Sequence, residues 1–396
     1  MRMGTKEIVT GNYAQSYAAK LARVDVISAY PITPQTTIVE KIAEFVAEGK
    51  LDADFIKVES EHSALQACLS ASAVGARTYT ATSSQGLLLM HELLFWAAGQ
   101  RAPVVMGVVN RAVAPPWSIW TDHTDTMAQR DTGWIQVYCE SNQEVLDTTL
   151  MAFRFAERED VRLPAMVTED AFYLSHTMES VDIPRQDEVD AWLPRRPRSH
   201  ILEIGKIGRL GSFMGPDLYM EFRYTIAQAM EQARRAILET EAEFESRFKR
   251  SHGGFVEPYR CDGADAVLVT MGTATSTARE VVDSLREKGR KVGLAKLRVF
   301  RPFPAKEVRE LAGLADRIGV LDRSYGFGYG GPAYLEVAGT LAGGPRKPLL
   351  RDFIGGLGGR DLTPPVIEGM FDALLAGNGD GDEVTWPDLH RAEEGV

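Results

Sequence analysis

Short apolar segments alternate with amphipathic helical segments through the first 180 residues, and this alternation constrains the fold more than any other feature of the sequence. The predicted strands cover residues 24–28, 55–58, 77–82, 103–109 and 165–169. The predicted helices between them cover residues 36–48, 63–75, 86–98 and 142–158. The segment 103–109 (PVVMGVV) is apolar on both faces, as is typical of a parallel sheet with helices on both sides. The pattern therefore predicts an α/β fold with a mostly parallel sheet.

The same alternation returns in the second half of the chain. Strands are predicted at residues 264–271, 291–297 and 317–322, with helices at 278–288, 305–311 and 333–341. An irregular connection over 183–217 and one long helix over 218–249 separate the two halves. We therefore expect two domains, residues 1–255 and residues 256–396, each built on a mostly parallel sheet with right-handed crossovers. The second domain includes an acidic tail after Gly377.

Composition narrows the class of protein. Lys and Arg number 44 against 55 Asp and Glu, so the formal charge is −11. This acidic balance argues against a nucleic-acid partner and against docking on anionic lipid. We find no apolar stretch of membrane-spanning length and no apolar signal-peptide core at the N-terminus, so we expect a cytoplasmic protein. The three cysteines form no CxxC pair, which excludes a zinc site or a four-cysteine cluster built from this chain alone and favours reduced, buried thiols.

Several familiar catalytic motifs are missing from the sequence. No P-loop, H-E-x-x-H or G-x-S-x-G pattern occurs, and the glycine-rich segment 326–331 lacks the dinucleotide-binding spacing. Residues 379–381 (GDG) resemble the start of a thiamine-diphosphate motif, but the Asn that completes such a motif is absent. The pair His123 and Asp125 is more typical of hydrogen-bonded structural residues than of catalytic ones.

Polar groups follow three of the predicted strands. Residues 30–34 (YPITP) follow the first strand, and two prolines there fix the backbone around Thr33. Residues 58–63 (VESEHS) follow the second strand, and their carboxylates fit either a site or a helix cap. Arg111 follows the fourth strand, where it fits either a carboxylate clamp or a surface ion pair. Ligands bind at the carboxyl ends of strands in open α/β sheets, so these groups predict a site at one sheet edge.

The sequence then resembles a known family. The segments AYPITPQT, VESEHSA, TATSSQGLLLMHE, VNRAVAPPWSIWTDHTD and QRDTGWIQ resemble the α subunit of pyruvate:ferredoxin oxidoreductase and related 2-oxoacid:acceptor oxidoreductases. In the second half, KVGLAKLRVFRPFP and GVLDRS resemble the same subunit. The resemblance implies a thiamine-diphosphate pyrimidine-binding-like domain followed by a transketolase-C-terminal-like domain.

The resemblance also implies roles for individual residues. Glu61 matches the carboxylate that bonds to the pyrimidine ring of the cofactor, with Glu59 as the alternative. Arg111 matches the arginine that binds the substrate carboxylate, and Thr33 matches a threonine on the substrate side of the pocket. The remaining expected cofactor contacts are Pro31, Ser83, Ser84 and Gln85.

The resemblance implies that this chain acts only inside a complex. The resemblance implies a β subunit that carries the diphosphate and Mg²⁺ motif, and γ and ferredoxin-like δ subunits that carry [4Fe-4S] clusters. The reaction implied is the oxidative decarboxylation of a 2-oxoacid, with coenzyme A as acyl acceptor and external ferredoxin or, through another subunit, NAD as electron acceptor. Pyruvate is the favoured substrate, and phenylglyoxylate and branched-chain 2-oxoacids are alternatives, since Trp117, Ile119 and Trp120 fit either a wider pocket or an interface. A non-catalytic scaffold subunit is the alternative from another class.

Overall fold

The computed structural model describes residues 4–377 and 384–390. Its strands, numbered in chain order, are β1 (Thr5–Val9), β2 (Val26–Ala29), β3 (Asp54–Lys57), β4 (Thr78–Thr82), β5 (Val105–Asn110), β6 (Ile135–Tyr138), β7 (Ala165–Asp170), β8 (Glu179–Ile183), β9 (Val256–Tyr259), β10 (Ala266–Thr270), β11 (Val292–Leu297), β12 (Val299–Arg301), β13 (Arg317–Asp322) and β14 (Leu349–Ile354). Its helices are α1 (Gly11–Leu21), α2 (Thr36–Ala47), α3 (Glu61–Ala73), α4 (Ser84–Leu89), α5 (His91–Gly99), α6 (Thr124–Met127), α7 (Asn142–Ala156), α8 (Gln186–Trp192), α9 (Tyr219–Phe248), α10 (Ala274–Glu287), α11 (Ala305–Leu311), α12 (Pro332–Ala342) and α13 (Pro364–Ala376).

The first sheet has seven strands in the order β12-β6-β7-β5-β4-β2-β3. All neighbours in it pair in parallel except β12, which lies antiparallel to β6 at the edge. Its central strands β4, β5 and β7 are buried along their whole length, as expected for a sheet with helices on both faces. The predicted α/β class with mostly parallel sheets is thereby confirmed.

Helices cover both faces of this sheet. One core cluster joins α1, α2, α7 and α9, and a second joins α3, α4 and α5 to β5. The long helix predicted over residues 218–249 is present as α9, and it ends where Lys249 adopts a left-handed conformation. The helix predicted over residues 86–98 is interrupted at Met90, so it forms α4 and α5. Within the connection predicted to be irregular, residues Gln186–Trp192 form the short helix α8.

The second sheet has five strands in the order β14-β13-β10-β11-β9, and only β9 is antiparallel to its neighbour. Helices α10 and α13 pack with one core cluster of this sheet, and α11 and α12 pack with another. Strand β12 comes from this half of the chain but completes the first sheet. The predicted boundary between residues 255 and 256 stays a prediction, and the acidic tail lies outside the described residues apart from 384–390.

A buried ion-pair network joins the two halves beside β12. The Glu144 carboxylate at the start of α7 accepts hydrogen bonds from Arg298 Nε at 2.6 Å and from Lys296 Nζ at 2.7 Å. All three side chains are buried. Burial acts to raise the pKa of Glu144, but the two cations outweigh it and hold the pKa at about 2. The network therefore fixes the end of β11 against the first sheet.

Candidate functional site

Three neighbouring parallel strands of the first sheet, β5, β4 and β2, end at one edge of the molecule. The segment 30–34 follows β2, the segment 83–86 follows β4, and Arg111 follows β5. Helix α3 begins at the same edge, since it follows β3 after three residues. The structure therefore brings together the strand-end segments that the sequence singled out, as expected for an open parallel sheet.

Arg111 connects the ends of these strands. The side chain is buried, with a relative exposure of 4% for the residue. Its Nη1 donates to the carbonyl oxygen of Thr33 at 2.6 Å, and its Nη2 donates to Oε1 of Gln85. Its Nε has no hydrogen-bond partner among the described residues. Burial lowers the pKa of Arg111, while attraction to Asp125 and Glu61 acts in the opposite direction. Arg111 is therefore a buried cation with an N–H group left to bind an anion.

Asp125 fixes the loop that carries Arg111. Its Oδ2 accepts hydrogen bonds from the backbone N–H groups of Ser84 and Arg111, each at 3.0 Å. Its Oδ1 accepts from Asn110 Nδ2 and from the backbone N–H of Thr126, each at 2.8 Å. Burial raises the pKa of Asp125 to about 6, although these donors act to lower it. Sequence reasoning assigned Asp125 no part in the site. Asp125 reaches the site because the loop between β5 and α6 returns to the end of β5.

Glu61 is the first residue of α3, and its position differs sharply from that of Glu59. Glu61 is buried, and no other described residue donates a hydrogen bond to its carboxylate. Glu59 is exposed and accepts a hydrogen bond from the Ser63 hydroxyl. Ser60 already caps the helix, since its hydroxyl accepts from the backbone N–H of Ser63 at 3.2 Å. The Glu61 carboxylate is therefore free for a ligand, whereas Glu59 belongs to the helix terminus.

Gly86 lies against the Glu61 carboxylate. A Cβ atom at position 86 would lie 2.7 Å from Oε1 of Glu61 and 2.5 Å from Oγ1 of Thr82. Only glycine fits such an approach without displacing its neighbours. The Thr82 hydroxyl and Nε2 of Gln85, on the same segment, have no hydrogen-bond partners among the described residues. Buried polar atoms without partners are expected where a ligand completes the hydrogen bonding.

The other predicted site residues divide into two groups. The Ser83 hydroxyl donates to the carbonyl oxygen of Val109 at 2.7 Å, and the Ser84 hydroxyl donates to that of Ala112 at 2.6 Å. Both serines therefore hold the loops of the site together, and their direct contact with a cofactor stays a prediction. Pro31 and Thr33 are exposed at the edge.

His123 belongs to a separate buried network between the two halves of the chain. Its Nε2 lies 2.7 Å from Oδ1 of Asp170, whose Oδ2 also accepts hydrogen bonds from Arg323 Nη1 at 2.8 Å and from the backbone of Thr273 at 2.9 Å. Burial acts to raise the pKa of Asp170, but Arg323 and His123 outweigh it and hold that pKa well below its usual value. His123 is hydrogen-bonded as predicted, and its purely structural role stays a prediction.

The tryptophans after Arg111 take different positions. Trp117 is largely exposed, and Ile119 is half-buried. The ring of Trp120 packs on that of Phe172 at a centroid distance of 4.4 Å. Both rings line a cleft of about 700 Å³ that residues 357–361 close from the second half of the chain. The described lining of this cleft does not include Glu61 or Arg111.

Comparison with known proteins agrees with this arrangement. The family model of the pyruvate flavodoxin/ferredoxin oxidoreductase thiamine-diphosphate-binding domain matches residues 17–242, and that of pyruvate:ferredoxin oxidoreductase core domain II matches residues 264–367. The ketoisovalerate oxidoreductase subunit VorA of Pyrococcus abyssi is 49% identical over 98% of each chain. The pyruvate synthase subunit PorA of Methanothermobacter thermautotrophicus is 48% identical over 98% of this chain and 99% of its own.

A solved structure shows the same fold. It is a 2-oxoglutarate:ferredoxin oxidoreductase from Magnetococcus marinus with 2-oxoglutarate, coenzyme A and succinyl-CoA bound, and it superposes with a TM-score of 0.72 at 20% identity. The match covers 93% of this chain and 65% of that chain. No helix in the described part of the present chain has the length and apolar character needed to span a bilayer. The first family model alone covers more than half of the sequence, and the chain therefore belongs to the pyruvate flavodoxin/ferredoxin oxidoreductase family.

Proposed function

We propose that this chain is the α subunit of a thiamine-diphosphate-dependent 2-oxoacid oxidoreductase. The observation that carries the proposal is the pairing, at one sheet edge, of two buried side chains: Glu61, whose carboxylate accepts no hydrogen bond from the described residues, and Arg111, whose Nε has no hydrogen-bond partner among them. Relatives of nearly full length, at 48–50% identity, are subunits of pyruvate synthases and ketoisovalerate oxidoreductases. Oxidoreductase activity at this edge is what the geometry and the relatives together support.

The residues present fit the pyrimidine half of the cofactor. The free Glu61 carboxylate and the space kept open by Gly86 provide an acceptor beside a close backbone approach. Residues 4–377 and 384–390 contain no group of three or more His, Cys, Asp or Glu placed to hold a metal ion. The diphosphate and its Mg²⁺ are therefore assigned to a β subunit, and [4Fe-4S] clusters to further partners. When bound, thiamine diphosphate supplies a carbon nucleophile and an electron sink for breaking the bond to the carboxylate.

Glu61 acts on the cofactor and not on the substrate. With thiamine diphosphate bound, its carboxylate would accept a hydrogen bond from N1′ of the pyrimidine ring and hold a proton at that atom. By holding that proton in place, Glu61 would favour the imino tautomer of the ring, which is the form that would supply the base for the thiazolium C2 proton.

Arg111 acts on the substrate. Its position is fixed by Thr33 and Gln85, which accept hydrogen bonds from two of its nitrogens, and by Asp125, which holds its backbone. The remaining N–H groups bind the substrate carboxylate and orient the bond to be broken. Because this carboxylate leaves as neutral CO₂, its attachment to Arg111 weakens as the reaction proceeds, which limits how tightly the ground state can usefully be held.

Pyruvate is the first candidate substrate, and a branched-chain 2-oxoacid is the second. The second candidate is supported by the 49% sequence identity to the ketoisovalerate oxidoreductase subunit. The identities to the two pyruvate synthase subunits are almost the same, at 48% and 50%. Coenzyme A is the proposed acyl acceptor, and ferredoxin or, through another subunit, NAD is the proposed electron acceptor.

The test is turnover by the complex purified with its partner subunits. Pyruvate, 2-oxoisovalerate and phenylglyoxylate are offered with coenzyme A, and reduction of ferredoxin or NAD is followed. We expect turnover of one of them that requires thiamine diphosphate, and Arg111→Ala should lower kcat/KM about 10–100-fold because it removes a charge-assisted bond. Turnover that is indifferent to Arg111→Ala and Glu61→Gln would instead support a scaffold subunit. Calorimetry on the chain alone should show negligible binding of thiamine diphosphate.

A further inference from the structure

Residues 355–359 (GGLGG), here called the glycine loop, follow β14 of the second sheet and contact the first half of the chain. Three glycines of this loop have φ between +59° and +79°, a region in which only glycine is unstrained. The backbone N–H of Gly359 donates to the carbonyl oxygen of Thr121 at 2.8 Å. The glycine loop therefore presents its backbone to the segment that follows Arg111 in the sequence.

Gly359 approaches Trp120 at its backbone end. A Cβ atom at position 359 would lie 2.4 Å from Cβ of Trp120 and 3.1 Å from its Cγ. Carbon atoms in ordinary contact are about 3.5–4.0 Å apart, so an alanine there would force the two segments apart by about 1 Å. The Tyr173 hydroxyl lies 3.2 Å from the carbonyl oxygen of Gly359 and 2.5 Å from Oδ1 of Asp361. These bonds hold the glycine loop against Trp120.

Trp120 lies at the far end of the loop that Arg111 begins. The backbone N–H of Ala112 donates to the carbonyl oxygen of Trp120 at 3.0 Å, which closes this loop. A few residues later, Asp125 accepts a hydrogen bond from the backbone N–H of Arg111 at 3.0 Å. The backbone N–H groups of residues 111 and 112 are therefore both held by the segment 120–125.

The second half of the chain holds this segment at another point. The backbone N–H of His123 donates to the carbonyl oxygen of Arg323 at 2.8 Å. Residues 121 and 123 are thus each bonded to the second half. None of these contacts involves Glu61, which begins α3. A change in them can therefore move Arg111 and leave the carboxylate of Glu61 in place.

We infer that Gly359 is a positioning residue for substrate binding, and that it acts through Trp120 on the placement of the Arg111 guanidinium. The inference rests on the proposed function, in which Arg111 binds the carboxylate of the 2-oxoacid. An error of about 1 Å in the placement of such a group can cost up to ~100-fold in rate. The second half of the chain then influences substrate affinity through the backbone of the first half.

The experiment compares Gly359→Ala with the control Gly289→Ala in the complex purified with its partner subunits. Gly289 has a φ of +80°, but a Cβ atom there would meet no atom within 4 Å. Both substitutions therefore impose similar backbone strain, and only that at position 359 displaces a neighbour. Tyr173→Phe is a milder variant, since it removes only the hydroxyl beside Gly359. For each complex, kcat and KM for the 2-oxoacid and hydrogen exchange at C2 of bound thiamine diphosphate are measured, and circular dichroism reports folding.

We expect Gly359→Ala to raise KM for the 2-oxoacid roughly tenfold while kcat and the exchange at C2 stay within about threefold of the wild type. Tyr173→Phe should raise KM about threefold, because one hydrogen bond to the glycine loop is lost. Gly289→Ala should change KM less than about twofold. Where Gly359→Ala does not assemble into the complex, KM of Tyr173→Phe decides the question.

Combination with Arg111→Ala tests whether the effect passes through Arg111. In that background neither Gly359→Ala nor Tyr173→Phe should change KM further, because the group that they position is gone. A further rise in KM there would overturn the positioning role. An unchanged KM in both single variants, or exchange at C2 that slows with KM, would overturn it as well. A wild-type complex that turns over no 2-oxoacid would overturn the proposed function itself.

Discussion

Asp352→Asn should stabilise the protein at alkaline pH and leave it unchanged at acid pH. Asp352 is buried in β14, an edge strand of the second sheet, and it lies near a second buried carboxyl group, that of Asp322. Its Oδ2 accepts a hydrogen bond from the backbone N–H of Gly331 at 2.8 Å, and its Oδ1 has no partner among the described residues. An asparagine keeps the bond to Gly331 and removes only the charge. The substitution therefore isolates the free energy of burying an ionised carboxylate.

The size of the effect follows from the shift in pKa. Burial raises the pKa of Asp352 from 3.8 to about 6, so the folded state binds a proton between these pH values that the unfolded state has already lost. Stability is therefore full below pH ~4 and declines as pH rises through ~6. At 1.36 kcal/mol for each pKa unit, the wild-type chain loses about 1–3 kcal/mol across this range. Asp322, whose pKa burial raises to about 7, contributes a loss of the same sign that extends to higher pH.

Urea unfolding at pH 4 and pH 8 measures this difference. Asp352→Asn should equal the wild type at pH 4 and exceed it by about 1–3 kcal/mol in the free energy of unfolding at pH 8. Asp265→Asn is the matched control, because Asp265 is exposed, and it should follow the wild type at both pH values. A variant that is less stable than the wild type at pH 8 would refute the reasoning, since the ionised carboxylate would then be stabilising.

Two further predictions concern the close packing around the site and the cysteines. Gly86→Ala should cost about 1–3 kcal/mol of stability and abolish turnover, because its Cβ would overlap Glu61 and Thr82, whereas Gly99→Ala meets open space and should leave both unchanged. Normal turnover by Gly86→Ala would show that the approach to Glu61 is unimportant. The three buried thiols, Cys68, Cys139 and Cys261, should resist alkylation at pH 7.5 until the chain unfolds, because burial raises the pKa of Cys68 to about 12. Mass spectrometry follows the alkylation. Rapid labelling of the native chain would contradict the burial of these cysteines.

Local pattern predicted most of the fold correctly. The bounds of β13 (Arg317–Asp322) and α11 (Ala305–Leu311) match the prediction. The hydrophobic periodicity and the flanking proline that indicate these elements are local features, which a few neighbouring residues determine. The strand β12 (Val299–Arg301) was not foreseen, since its three residues complete a sheet formed by the other half of the chain. Such a pairing depends on tertiary contacts, which the hydrophobic periodicity of a short segment does not reveal.

The sequence predicted which strand ends form the site, but not the role of each side chain there. The pattern placed residues 30–34, residues 58–63 and Arg111 at one edge, because parallel strands end together, whereas residues 83–86 were expected there only from the family resemblance. The pattern alone could not separate Glu59 from Glu61, since both precede a helix and both suit its N-terminus. Their difference depends on burial and on which carboxylate accepts a hydrogen bond from Ser63. The role of Asp125 was missed for a related reason, since three of its four donors, at Ser84, Asn110 and Arg111, come from other segments of the chain.

The central claim is that Glu61 serves the cofactor and Arg111 serves the substrate, and hydrogen exchange at C2 of thiamine diphosphate bound to the assembled complex tests it most directly. Glu61→Gln keeps the shape of the side chain and removes its charge, so exchange should slow by ~10²–10⁴-fold. Arg111→Ala should leave the exchange rate within about threefold of the wild type while lowering kcat/KM for the 2-oxoacid about 10–100-fold. Full exchange in Glu61→Gln, or exchange in Arg111→Ala that slows as much as in Glu61→Gln, would contradict the division of roles proposed for this edge.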